Sequence, residues 1–198
     1  MNFVGRSLIE ISDLSRDEVL FLLSETKKIQ KENPEVKMPS SSGKSIALLF
    51  FEASTRTRSS FEMAAYRLGL RVLNLEVSTS SAQKGETIFD TAINIEALQP
   101  NAMVIRHAGS GIPRQISQLV KIPVLNAGDG FHAHPTQALL DAFTMQEEFG
   151  DFKGLKVLIV GDIAHSRVAR SNIQCLNMLG ATVEVCGPPT LIPPQVEK

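Results

Sequence analysis

Six short apolar runs, separated by stretches of helical periodicity, constrain this chain more than any other feature. The runs are Ser45–Phe51, Arg71–Val77, Ala102–Arg106, Ile122–Leu125, Lys156–Val160 and Thr182–Cys186. Between most of them lie Thr55–Leu68, Thr87–Leu98, Ile112–Val120, Thr136–Phe149 and Arg167–Leu179, which carry the spacing of helices. In the first of these, Phe61, Ala64, Ala65 and Leu68 share one face, and Gly69 stops it. Strand and helix in alternation imply βαβ units, because parallel strands need a crossover connection. The expected fold class is α/β: a parallel sheet flanked by helices. An additional helix begins near Ser15, where Glu18 completes a capping box. Val19, Leu22, Leu23 and Ile29 mark its apolar face, and Pro34 ends it.

The strongest internal break is Gly150-Asp151-Phe152-Lys153-Gly154, between a long helix and a new apolar strand. It divides the chain into a domain at 1–149 and a segment at 150–198. That segment holds a single βαβ unit, and about fifty residues rarely sustain a core alone. It therefore reads as the incomplete start of a second, doubly wound domain. Composition narrows the function. Lys and Arg total 20 against 21 Asp and Glu, a formal charge of −1, which gives no broad attraction to nucleic acid or to an anionic membrane. No apolar run approaches the ~18 residues of a membrane span. The N-terminus shows no charged region followed by an apolar stretch, so a cytoplasmic location is expected. Cys175 and Cys186 are too few for a disulfide framework and lack metal-ligand spacing, so both are expected to be buried free thiols.

In an open parallel sheet, ligands gather at the carboxyl ends of the strands. Here those ends are followed by Ser54-Thr55-Arg56-Thr57-Arg58, by a Ser-rich loop with Ser80 and Lys84-Gly85-Glu86, by Arg106-His107, by Asn126-Ala127-Gly128-Asp129-Gly130 leading to His134-Pro135-Thr136-Gln137, and by Gly161-Asp162 leading to Arg167. Hydroxyls, cations, imidazole and amide at five strand ends of a charge-balanced chain point to one anion-handling site. Ser54, Thr55, Arg56 and Thr57 open a helix, where unpaired backbone N–H groups and the helix dipole favour phosphate. A plain N-cap explains a single hydroxyl there, but not two guanidiniums beside three hydroxyls. Arg58 is read as an ion-pair residue outside the first contacts. Lys84 in a polar loop, a strand-end Arg106 and His134 each have an ordinary surface reading when taken alone. As a neutral imidazole, His134 is suited to donate to an oxyanion, and Gln137 supplies both donor and acceptor. His107, His132 and His165 are placed among surface histidines. Arg167 and Arg170 oppose the dipole at a helix start, which favours an anion partner. The Gly161-Asp162 pair lacks the glycine pattern of a dinucleotide site.

At these residues the chain resembles the aspartate transcarbamoylase catalytic chains. The resemblance rests on Phe51-Glu52-Ala53-Ser54-Thr55-Arg56-Thr57-Arg58, Lys84-Gly85-Glu86, Val104-Ile105-Arg106-His107, Asn126-Ala127-Gly128-Asp129-Gly130, His134-Pro135-Thr136-Gln137 and Gly161-Asp162 with His165-Ser166-Arg167, in family order. It implies a carbamoyl-phosphate domain followed by an aspartate domain, and transfer of a carbamoyl group from carbamoyl phosphate to L-aspartate in pyrimidine biosynthesis. Ser54, Thr55, Arg56 and Thr57 would hold phosphate, with Arg106 reaching phosphate and carbamoyl oxygen. His134 would assist at that oxygen, Gln137 would orient the carbamoyl amide, and Arg167 would bind an aspartate carboxylate. Ser80 and Lys84 would serve a neighbouring subunit's site, since the family is trimeric with shared sites. Partner chains of the regulatory-subunit or dihydroorotase kind belong to the same expectation. No metal or organic cofactor is implied. Ornithine carbamoyltransferases share the Ser-Thr-Arg-Thr-Arg motif and a His-Pro-x-Gln, and form the alternative; Lys84-Gly85-Glu86 and Asn-Ala-Gly-Asp-Gly favour the aspartate type. The family's later aspartate-binding segment is missing before Lys198, so the chain reads as truncated, and a non-catalytic carbamoyl-phosphate-binding or oligomerisation fragment is the second expectation.

Overall fold

The structure, a computed structural model, describes residues 1–31, 43–76 and 86–194. Pro34, Val77, Ser80 and Lys84 lie outside these residues. After a 3-10 turn at Ile11–Asp13, helix α1 spans Arg16–Lys31. Its capping box is formed: the Ser15 N–H donates to Glu18 Oε2 at 2.8 Å, and the Glu18 N–H donates to Ser15 Oγ at 3.2 Å. The order then runs β1 Ser45–Phe50, α2 Thr55–Arg67, β2 Arg71–Glu76, α3 Ile88–Ala97, β3 Ala102–His107, α4 Ile112–Leu119, β4 Val124–Asp129 and α5 Pro135–Phe149. Beyond it come β5 Lys156–Val160, α6 Arg167–Leu179 and β6 Thr182–Cys186.

The first four strands form one parallel sheet in the order β2-β1-β3-β4. Its two central strands carry runs of four buried residues, Ile46–Leu49 and Met103–Arg106. That is the pattern of a sheet covered on both faces. Because side chains alternate across a strand, the runs feed two cores. Ala47, Leu49, Met103 and Ile105 pack with Ala92 and Ile95 of α3 and Ile116 of α4. Ile46, Leu48 and Val104 pack with Ala65 of α2 and Ala127 of β4. Strands β5 and β6 form a separate parallel pair with α6 as its crossover. A third core joins Val19 and Leu23 of α1, Ala138, Ala142 and Phe143 of α5, and Cys175, Leu176 and Leu179 of α6, with Phe152 from the 150–154 break.

Three details differ from the sequence reading. Strand β4 starts at Val124 and runs on to Asp129, so Asn126 and Asp129 lie within the strand rather than after it. Both are fully buried, and they satisfy each other: Asn126 Nδ2 donates to Asp129 Oδ1 at 2.8 Å. Helix α2 buries only Ala65, leaving Met63 and Tyr66 exposed. Cys175 is buried as expected, but Cys186 is exposed on the thin β5–β6 pair. Burial, with the Asp141 charge adding to it, pushes the Cys175 thiol up to about 12, so it stays protonated and inert. Among the described residues, no helix is long and apolar enough to cross a membrane.

Candidate active site

The carboxyl ends of β1, β3, β4 and β5 bring one polar centre together. At the end of β1, Ser54 is the N-cap of α2 in extended backbone, yet its side chain makes no capping hydrogen bond. The first helical bond is from the Arg58 N–H to the Ser54 carbonyl at 3.1 Å. The N–H groups of Thr55, Arg56 and Thr57 therefore have no intrahelical acceptor. No acidic residue stands in this turn, and Arg56 is exposed above it. A helix start with hydroxyls, unpaired N–H groups and, among the described residues, no ion-pair partner for the Arg56 guanidinium is an anion cradle. A cleft of about 410 Å³ opens beside it, lined by Ser54, Thr55, Arg58, Ser59 and Glu62. Arg58 pairs with Glu62 at 3.4 Å, which supports its reading as an ion-pair residue.

Arg106, at the end of β3, is 8% exposed and reaches across the sheet. Its NH1 donates to the Ala127 carbonyl at 3.2 Å and lies 3.5 Å from Thr57 Oγ1. Its NH2 donates to Glu52 Oε1 at 2.9 Å. The buried Nε has no acceptor among the described residues. Leaving a buried donor unpaired costs about 1–3 kcal/mol, which a ligand oxygen at this point would offset. Arg167, the first residue of α6, meets the same carboxylate from the other side. Its NH1 and NH2 donate to Glu52 Oε2 and Oε1, each at 3.0 Å, and NH1 also reaches the Gly130 carbonyl at 3.1 Å. The Arg167 hydrogen bonds, followed by both guanidinium charges, hold the Glu52 carboxyl below the usual range against a burial penalty. Burial and the Arg167 charge act against the Arg106 cation, and Glu52 acts for it.

The two arginines pass close over backbone, which explains the glycine in β4. Gly128 has φ of +111°, and a Cβ there would stand 3.0 Å from Arg167 Nε and 3.1 Å from Arg106 NH1. Asn126 accepts the Gly128 N–H at 2.9 Å and donates to the Ile9 carbonyl at 2.9 Å. Asp129 accepts the N–H groups of Gly111 at 2.6 Å and Ala133 at 3.0 Å. The Asn-Ala-Gly-Asp-Gly segment is thus a fixed backbone platform whose carbonyls aim both guanidiniums.

His134 caps α5 and is buried. Its backbone N–H donates to Ser171 Oγ of α6 at 2.9 Å, and Thr136 Oγ1 lies 3.4 Å from its Nδ1. Burial, followed by the Arg106 and Arg167 charges, pushes the imidazole down to about 4. It is neutral at pH 7, and the tautomer in which Thr136 donates to Nδ1 leaves the ring proton on Nε2 as a donor. Gln137 stands in the same first turn, with its amide N–H committed to Asp141 Oδ1 at 2.9 Å. A second cleft, about 520 Å³, is lined by Glu52, Gly130, Phe131, Asp162, His165 and Arg167. Among the expected surface histidines, His165 is exposed and paired with Asp162, while His132 is half-buried against Asp129.

The structure therefore joins Thr57, Arg106, His134 and Arg167 around Glu52, and sets Ser54, Thr55 and Arg56 at the adjoining helix start. Sequence reasoning gave Glu52 no role. An acid among cations at an anion site looks out of place, yet an acid directly after a strand whose neighbours end in Arg was the available signal.

A family model described as Aspartate/ornithine carbamoyltransferase, carbamoyl-P binding domain, matches residues 6–147. The chain belongs to the aspartate/ornithine carbamoyltransferase family. Among relatives in this family, the aspartate carbamoyltransferase catalytic subunit of Myxococcus xanthus is 54% identical over 192 residues, covering 97% of this chain and 64% of its own length. That of Geotalea uraniireducens is 50% identical over 200 residues, with 100% and 64% covered. In three dimensions the chain is similar to aspartate transcarbamoylase from Trypanosoma cruzi in complex with carbamoyl phosphate and aspartate. That match has a TM-score of 0.89 and 31% identity, over 98% of this chain and 61% of that one. The catalytic subunit of M. Jannaschii aspartate transcarbamoylase gives a TM-score of 0.87 at 36% identity, over 97% and 64%. The chain thus spans about 64% of the length of the relatives it matches.

Proposed function

We propose that this chain forms the carbamoyl-phosphate half, and the start of the aspartate half, of an aspartate carbamoyltransferase. The observation that carries the proposal is the buried Arg106, with its Nε free of any described acceptor, standing between Thr57 and Glu52 and close enough for its charge to depress His134. A phosphate at the α2 start would meet the Ser54, Thr55 and Thr57 hydroxyls, the free N–H groups and Arg56. Its carbamoyl oxygen would then face Arg106 and the Nε2–H of His134, with Gln137 at the carbamoyl amide. Arg167 would take an aspartate carboxylate from the second cleft. The aspartate amine attacks the carbamoyl carbon, a C–N bond forms, and the C–O bond to phosphate breaks. The departing phosphate takes the amine proton, giving N-carbamoyl-L-aspartate and phosphate. Two donors fixed at the carbamoyl oxygen stabilise the tetrahedral intermediate, and holding two anions together removes an entropic barrier.

The domain division at Gly150 belongs to the same reading, with 1–149 binding carbamoyl phosphate and 150–198 beginning the aspartate domain. So does a cytoplasmic homotrimer in which Ser80 and Lys84 complete a neighbour's site. Met63 and Tyr66, exposed on α2, and Val72, exposed on the edge strand β2, supply apolar surface in favour of such a contact. A regulatory chain or dihydroorotase is a further partner of this reading. Relatives that are aspartate carbamoyltransferases favour aspartate over ornithine as acceptor. Because the chain spans 64% of those relatives, binding of carbamoyl phosphate without turnover is the second reading for the chain by itself. The test is titration with carbamoyl phosphate, then product assay with aspartate or ornithine. Saturable binding, weakened roughly 10-fold in Arg56→Ala, supports the site; absence of saturable binding overturns it. Carbamoylation of ornithine in preference to aspartate overturns the acceptor.

A further inference from the structure

Behind the site, Asp141 of α5 and Asn172 of α6 have no part in the reaction as described, yet they are tied to Gln137. Gln137 Nε2 donates to Asp141 Oδ1 at 2.9 Å, and Asn172 Nδ2 donates to Asp141 Oδ2 at 2.7 Å. One carboxylate thus takes two amides, one on each oxygen. An ionised carboxylate only accepts, so both amides must turn their NH2 groups towards it. That fixes the other end of each. For Gln137 the end that Asp141 does not hold is Oε1, an acceptor without donor character, on a residue in the turn that His134 caps.

Asn172 shows that this arrangement is not simply good packing. It is 8% exposed, and its buried Oδ1 has no hydrogen-bond partner among the described residues. A buried acceptor without a partner is destabilising, and an apolar side chain of similar size avoids that penalty. What Asn172 supplies is a second anchor on the Asp141 carboxylate, from a different helix. Gln137 alone holds one carboxylate oxygen; with both anchors, the plane is set.

We propose that Asp141, clamped by Asn172, is a positioning residue that locks the Gln137 amide with Oε1 towards the carbamoyl group, so that the site selects an NH2 over a methyl group of the same size. The inference rests on the reading of Gln137 as the residue that orients the carbamoyl amide. A ligand NH2 donates to the fixed Oε1. A methyl group leaves that acceptor unpaired, and a site built to accept a hydrogen bond rejects such an analogue. One hydrogen bond of ordinary net strength corresponds to roughly a 10-fold preference.

The experiment is calorimetric titration of the 198-residue chain with three stable probes: inorganic phosphate, phosphonoacetamide, and acetonylphosphonate, in which methyl replaces the NH2. The wild-type chain is expected to bind phosphonoacetamide about 10-fold more tightly than acetonylphosphonate. In Asp141→Asn the residue at 141 accepts or donates, Gln137 turns over, and the preference falls to within about twofold, with phosphate affinity unchanged. Gln137→Met gives the same loss, and the double substitution gives no more than Gln137→Met alone. If Asp141→Asn fails to fold, Asn172→Ala carries the test, with a smaller loss in the same direction. A preference retained in the folded variant, or equal weakening for all three probes, overturns the proposal. If the wild-type chain binds phosphate but shows no amide preference, the proposal fails while the carbamoyl-phosphate reading stands. If it binds none of the probes, that underlying reading fails.

Discussion

His134 offers the sharpest quantitative test, because its environment is set by neighbours that can be counted. The ring is buried, and the cations of Arg106 and Arg167 stand close to it, with the charges of Glu52 and Asp129 opposing them only in part. Its proton affinity falls from an ordinary 6.5 to about 4. In the unfolded chain the same imidazole titrates near its ordinary value. Between pH 6.5 and 4 the unfolded state therefore binds a proton that the folded state refuses, and stability rises with pH across that window. Above pH 6.5 both states are neutral and the contribution is constant. As pH falls to 4 it is lost, at about 1.4 kcal/mol per pH unit, for a total on the order of 3 kcal/mol. The assay is urea unfolding of the wild-type chain and His134→Gln at pH 4, 5, 6 and 7. Taking the difference between the two removes the shared titration of the carboxylates. The stability gap should move in favour of the variant by on the order of 3 kcal/mol between pH 7 and pH 4. An imidazole proton resonance that titrates near 6.5, or two stability curves that run parallel, would refute the reasoning.

Three other variants test the two arginines and the adjoining helix start. Glu52→Gln removes the anion between Arg106 and Arg167; with the Glu52 side chain 31% exposed, the loss in urea unfolding should be about 1–2 kcal/mol. The same variant should bind inorganic phosphate more tightly, since Arg106 NH2 is released, and weaker binding counts against the arrangement. Gly128→Ala forces a side chain onto a left-handed backbone and against both guanidiniums, so it should lower stability by about 1–3 kcal/mol and weaken phosphate binding. Arg56→Ala, on an exposed first turn, should leave the melting temperature unchanged and reduce phosphate affinity by roughly 10-fold, as loss of one charge-assisted hydrogen bond implies.

Much of this was legible in the sequence, for identifiable reasons. Ile46–Leu49 and Met103–Ile105 announce central strands because only a sheet buried on both faces accommodates uninterrupted apolar runs. Ser15 and Glu18 mark a helix start because the capping box is local chemistry, complete within four residues. The end of β4 was not legible. Asn126, Gly128 and Asp129 have the composition of a turn, and only the tertiary partners at Ile9, Gly111 and Ala133 let them lie buried in a strand. Glu52 escaped for the same reason, since its meaning depends on Arg167, 115 positions away. The hydroxyls and guanidinium at the start of α2 were readable because a helix terminus has the same unpaired groups wherever it stands. The orientation of the Gln137 amide, in contrast, required the side chain of Asn172 from another helix.

The placement of the N-terminal thirty residues has a consequence for how the chain comes into being. Leu8 hydrogen-bonds alongside β4, with its N–H on the Val124 carbonyl at 2.9 Å and its carbonyl on the Asn126 N–H at 2.9 Å. Helix α1 lies against α5, and the turn before it touches α6. Apart from Ile9, which joins the core of β1, β3, α3 and α4, this segment rests on residues made well after it, from 124 onward. At typical synthesis rates of ~5–20 residues per second, that delay is on the order of ten seconds. An isolated helix of this length is marginal in water, and the surfaces that cover Val19 and Leu23 in the fold come from α5 and α6.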